Sequence, residues 1–326
     1  MFPVSFRASC KIPLSLRPFP GDLLFFYIAC NVILPIFIVM VLGFLLAKYF
    51  TLDLGSLSKL NFYIFIPVFM FYSLLIFKPG NKEMADTILF NFLLACVTFL
   101  VMYAITRWLK FSPGLAAAST LGVLIFNSAN YGIPVVQLAF QGEGVAIQVI
   151  TITAMNVLTY TLGILIAGGW SEWRRGVKTI LKLPILYALA AALVIRGMSL
   201  DLPDALMTPL KWTSDGMLPI ALLTLGAQLG QGGIAFRHPK EIWATVAARL
   251  LLCPLLAFGL LHVMGLHGML ARVLFVSSAF PTAVATVLFG IEYDKEPTFA
   301  ADIVFLTTLL SAITVTGAIS LSAVLF

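Results

Sequence analysis

From Leu23 to Tyr49 the chain runs through 27 residues with a single charged side chain, Lys48. A helix rises about 1.5 Å per residue, so about 20 apolar residues cross roughly 30 Å of hydrocarbon. That ruler picks out ten runs, at 23–49, 57–77, 86–106, 115–141, 144–169, 184–198, 205–231, 240–265, 269–291 and 297–325. The sixth is short and the seventh long. Barrel strands would alternate apolar and polar residues, and these runs do not, so each span is read as a helix. Charged residues make up 10% of the chain, against about 25% in soluble domains. The expected fold class is an all-α membrane protein with ten transmembrane helices.

The net charge of +6 sits in short loops, where it sets membrane topology, so no nucleic-acid partner is expected. Cys10, Cys30, Cys96 and Cys253 lie far apart with no CxxC spacing. They read as packing residues, and no metal or cofactor is expected. Residues 1–22 carry Arg7, Lys11 and Arg17 but lack the short apolar core and cleavage site of a signal peptide, and read as an N-terminal tail.

Residues 170–183, WSEWRRGVKTILKL, combine Trp170 and Trp173 with four basic residues, the pattern of an amphipathic helix at the membrane interface. They separate a first five-span half, 23–169, from a second, 184–326. Alternate loops are unequal in charge. One set holds Lys48, Lys59, Arg107, Lys110, Arg174, Arg175, Lys178, Lys182, Arg237, Lys240 and Lys295, the other Lys78, Lys82, Arg196, Lys211 and Arg272. The first set, including 170–183, is expected in the cytoplasm, with both termini outside. Five spans per half makes related halves inverted.

The halves share punctuation. Lys59 precedes Pro67 by eight residues in span two, as Lys211 precedes Pro219 in span seven. Span four holds Asn127-Ser-Ala-Asn130-Tyr131-Gly-Ile-Pro134, and span nine holds Ser277-Ser278-Ala-Phe-Pro281-Thr282 at similar depth. Proline removes an amide donor and pushes its predecessor out of helical geometry. Both spans are therefore expected to break, each presenting a free helix N-terminus just after its proline. Two such ends crossing at mid-membrane would bind an anion without a basic side chain.

No Asp, Glu, Lys, Arg or His occurs from Leu115 to Gly142 or from Val273 to Ile291, so the crossing is expected to be neutral apart from its dipoles. A cation–proton antiporter would keep carboxylates there. The expected substrate-binding residues are Asn127, Asn130, Tyr131, Pro134, Ser277, Ser278, Pro281 and Thr282. A second rank comprises Asn61, Asn156, Asp215, Arg249 and Asp302. Arg249 and Asp302 lie inside spans eight and ten, where they would either pair or leave Arg249 to snorkel. Asp215 reads as interfacial or as a proton site.

The sequence resembles the auxin efflux carrier family, which includes plant PIN proteins and bacterial malate or malonate permeases. The likeness runs through ILPIFIVMVLGFLLAKY, LNFYIFIPVFMFYSLL, NSANYGIPVVQLAFQGEG, LPIALLTLGAQL, Arg249 five residues before Pro254, SSAFPTAVATVLFGIEY and TTLLSAITV. It implies a ten-helix inverted repeat with crossed helices four and nine. Spans one, two, six and seven would form a scaffold against which spans three to five and eight to ten move. Asn127, Pro134 and Pro281 take the family's crossing positions. The plant proteins have proline where Phe126 stands, and many have a long cytoplasmic loop that is absent here. The likeness therefore points to a bacterial-type carboxylate permease.

The functional expectation is a secondary transporter of a small organic anion, in a plasma or bacterial inner membrane, and not an enzyme. The alternatives are a sodium- or proton-coupled symporter resembling bile-acid symporters, and a non-transporting receptor or scaffold. The partners expected are the anion, the bilayer, a second copy through the scaffold helices and a coupling proton or sodium ion.

Overall fold

The computed structural model describes residues 21–232 and 235–326. Residues 1–20 of the expected tail lie outside the described residues, and its last two, Gly21 and Asp22, are already helical and lead into the first span. Every regular element of the described residues is helical. They are α1 (Leu23–Tyr49), α2 (Leu54–Phe77), α3 (Asn81–Trp108), α4 (Pro113–Leu124), α5 (Gly132–Ala139), α6 (Gln141–Gly168) and α7 (Trp170–Ile180). After these come α8 (Pro184–Gly197), α9 (Asp204–Gln231), α10 (Pro239–Val263), α11 (Gly268–Ser278), α12 (Ala285–Glu292) and α13 (Pro297–Leu325).

By length and composition, six of these are fit to cross a membrane: α1, α2, α3, α6, α10 and α13. Counting the pair α7–α8, bent by 48°, makes seven. The ten apolar runs thus do not all become long helices. α9 has 28 residues but carries Asp204, Lys211 and Asp215. α8 stops after 14. The fourth and ninth runs each divide, into α4 with α5 and α11 with α12.

Local chemistry sets the helix ends. Asp53 caps α2 by accepting from the Gly55 and Ser56 amides at 2.9 and 3.2 Å. The Ser56 hydroxyl, the larger cause, and these amides hold its carboxyl below its ordinary value of 3.8. At α3 the Glu83 carboxylate reaches back to the Gly80 amide at 2.9 Å. Ser112 and Pro113 open α4. Four long helices widen into single π turns, at Ala29–Ile33, Asn61–Phe65, Thr159–Gly163 and Ala248–Leu252.

Without water to drive association, helix packing in lipid depends on close approach. Along α1 and α9 glycine supplies it. A Cβ on Gly226 would lie 1.9 Å from the Met40 carbonyl oxygen, and one on Gly43 would lie 2.2 Å from that of Leu223. α2 packs on α8 and α9, while α3 and α5 pack on α6.

The feature that positions the site is the meeting of the two breaks. α4 ends at Leu124, and Ile125 turns extended at φ −97°, ψ 99°. Phe126 then pairs with Thr282 as an isolated antiparallel bridge. The Asn127 amide donates to the Pro281 carbonyl at 2.8 Å, and the Ala283 amide to that of Ile125 at 2.9 Å. Unpaired backbone inside a membrane costs several kcal/mol per group, roughly, so a helix can open here because the other break supplies its partners. The Thr282 amide donates to Thr307 of α13 at 3.1 Å, and its hydroxyl to the Gly122 carbonyl at 2.6 Å.

Candidate functional site

A cavity of about 360 Å³ lies against this junction. α2 contributes Ser58, Lys59, Asn61 and Tyr63; the first break contributes Asn127, Ser128 and Asn130; α6 contributes Asn156, Thr159 and Tyr160. Gln228 of α9 and Ala283, Val284 and Ala285 from the second break complete it. A larger groove of about 790 Å³ between α3, α4 and α6 is almost wholly apolar. Leu100 and Trp170 stand exposed on it, which marks a lipid-facing surface rather than a polar site.

Of the eight first-rank residues, Asn127 and Asn130 line the cavity. The Asn130 carbonyl accepts from the Asn61 amide group at 2.9 Å, joining the break to α2. Asn61 is 2% exposed, and its other amide atom has no protein partner. The remaining six build the junction. Tyr131 is buried, its hydroxyl 2.9 Å from that of Ser311 and its ring edge-on to Phe280. Pro134 is buried within α5. Ser277 donates to Gln148 Oε1 at 2.6 Å, and Gln148 in turn donates to the Ser128 carbonyl at 2.7 Å. The Ser278 hydroxyl donates to Phe275, and Pro281 and Thr282 are committed to the paired breaks.

In the second rank, Asn61 and Asn156 line the cavity, Asn156 with its amide group donating back to Ile152 at 2.9 Å. Asp215 does not. It pairs with Lys211 at 2.5 Å on an exposed face of α9. The expected Arg249–Asp302 pairing is replaced by separate partners. The Asp302 carboxylate accepts from the Ala235 and Phe236 amides at 2.9 and 3.0 Å, while Arg249 donates to the Val123 and Ser278 carbonyls. Nor does Arg249 snorkel, being 2% exposed.

Two electrostatic expectations are corrected. The helix after the first break begins at Gly132, two residues before Pro134, because the turn at 127–131 already supplies its carbonyls. The Gly132, Ile133 and Val135 amides donate to Asn127, Ala129 and Tyr131, and so are not free. At the second break the helix begins at Ala285, and the Val284 and Ala285 amides, both at the cavity, have no hydrogen-bond partner among the described residues. The cavity is also not neutral. Lys59 lines it from α2, a residue that the sequence puts among the loop charges and at the start of span two, but not among the site residues. The π turns carried a signal that hydropathy cannot show: Asn61 opens one, and Thr159 and Tyr160 open another.

Residues 174–319 match the family described as membrane transport protein. The chain is 24% identical over 292 residues to an uncharacterized transporter of Methanothermobacter thermautotrophicus, covering 86% of this chain and 94% of the relative. It is 26% identical over 302 residues to a Rhizobium meliloti protein named "Putative malonate transporter", covering 88% and 93%. An uncharacterized transporter of Methanocaldococcus jannaschii is 27% identical over 209 residues, 62% of this chain and 66% of that one. The resemblance to the auxin efflux carrier family holds. The chain is thus similar to membrane transport proteins. Its long apolar helices make it an integral, multi-pass membrane protein.

Proposed function

We propose that this chain is a secondary carrier that moves a small organic anion of the carboxylate class by alternating access. The observation that carries this reading is the cavity at the paired breaks, where Asn127, Asn130 and the free amides of Val284 and Ala285 meet Lys59 across a gap bridged by Asn61. Amide donors, a helix N-terminus and one ammonium group suit a carboxylate. The malonate named for the Rhizobium relative is such an anion and serves as a probe.

In this reading the chain is a ten-span protein of two inverted halves, the broken spans being α4–α5 and α11–α12. The packing of α1 on α9 and of α2 on α8 and α9 supports a scaffold made of these four, against which the other spans move. The cavity reaches exposed Lys59, at the end of α2 assigned to the cytoplasm by loop charge, which fits an inward-facing state. A homodimer through the scaffold and coupling to protons or sodium belong to the same proposal.

The test is malonate flux in proteoliposomes, with and without sodium or pH gradients. Asn127→Ala and Asn130→Ala are each expected to lower flux several-fold while the protein keeps its elution profile and melting temperature. Undiminished flux in both would remove the paired breaks from the mechanism. A receptor or scaffold would show no flux even in the wild type.

A further inference from the structure

Among the described residues Arg249 is the one buried cation, and the carrier reading leaves it without a task. It sits in the π turn of α10 and stacks on Phe126, its guanidinium carbon 5.2 Å from the ring centre. One guanidinium nitrogen donates to the Val123 carbonyl at 2.5 Å, in the last turn of α4. The other donates to the carbonyl of Ser278, the last residue of α11.

These two carbonyls are orphaned by the breaks. In unbroken helices they would accept from the amides four residues on, those of Asn127 and Thr282. Both amides are turned elsewhere, to Pro281 and Thr307. Each helix C-terminus carries about half a negative charge, so two of them roughly match one guanidinium. Among the described residues Arg249 has no carboxylate partner. Its counter-charge is the pair of half-helix ends.

We infer that Arg249 is the positioning residue that turns the paired breaks into an anion site, by tying together and neutralising the C-terminal ends of α4 and α11. The opposite end, at α12, whose Val284 and Ala285 residues line the cavity, then acts on it without being offset. Without Arg249 the C-terminal ends of α4 and α11 would oppose it. Phe126 lines the cavity and also receives the guanidinium, so Arg249 stands behind the cavity wall and does not touch the substrate. This inference rests on the anion-carrier reading, and its test separates the two.

Purified full-length protein would be titrated with malonate, lactate and acetate, read by thermal shift, for the wild type, R249K and R249Q. R249Q keeps donors but not charge, and is expected to weaken anion binding about tenfold, whereas R249K stays within about threefold. Wild-type affinity in R249Q overturns the inference. So does R249K failing alongside R249Q, in folding or in binding. If the wild type binds none of the three acids, the carrier reading falls, and the tie is judged without ligand. Hydrogen exchange across 125–131 and 279–284 is then expected to be faster in R249M than in the wild type, and unchanged exchange overturns the placement.

Discussion

Two polar side chains of similar burial have opposite consequences here. Asn61 and Ser277 are both nearly inaccessible, but Asn61 faces the cavity with one amide atom unpartnered, while Ser277 is closed into a chain with Gln148 and Ser128. Asn61→Ala is therefore expected to raise the apparent KM for malonate flux with little change in melting temperature. Ser277→Ala leaves Gln148 Oε1 without a donor, and a buried unsatisfied acceptor costs about 1–3 kcal/mol. Its expected signature is a lower melting temperature at nearly unchanged KM. Flux and thermal melts on the two variants check the contrast. Nothing in the sequence separated the two roles, because both residues are small, polar and embedded in apolar runs.

The elements divide into those that hydropathy reveals and those that a neighbour decides. α1, α2, α3, α6, α10 and α13 follow from their apolar length, and the amphipathic α7 from its tryptophans and basic residues. Pro134 and Pro281 point to the breaks, but the first opens at Ile125, well before its proline, and the cross-break hydrogen bonds run from Ile125 and Asn127 to Ala283 and Pro281. The α1–α9 contact is likewise an affair of two elements. Gly226→Val would drive a side chain into the Met40 carbonyl and is expected to separate the helices. The checks are yield of folded protein and melting temperature, both lower than for Gly259→Val, where a Cβ meets nothing within 4 Å.

At the scale of the whole molecule, the Asn61–Asn130 hydrogen bond joins the proposed scaffold to the proposed moving part. If those parts shift during transport, this contact must open. A cysteine pair at positions 61 and 130, bridged by a short bifunctional thiol reagent, is expected to abolish whatever malonate flux the untreated pair shows, and each single cysteine treated alike to keep the flux it has before treatment. A cleavable reagent restores flux on reduction. Full flux through the cross-linked protein would show that these two parts do not move apart. The four native cysteines, Cys10, Cys30, Cys96 and Cys253, are replaced beforehand.

The sequence by itself determined that this chain lives in a membrane, is helical and breaks near Pro134 and Pro281, because lipid demands long apolar helices and proline removes an amide wherever it stands. It also carried the transporter likeness, through motifs whose order along the chain survives without coordinates. Only the tertiary structure decided that Lys59 lines the cavity, that Asp302 and Arg249 have different partners, and that most of the polar residues at the breaks hold the junction together. Those outcomes depend on which distant carbonyl a freed donor meets, a three-dimensional fact that neither composition nor spacing encodes.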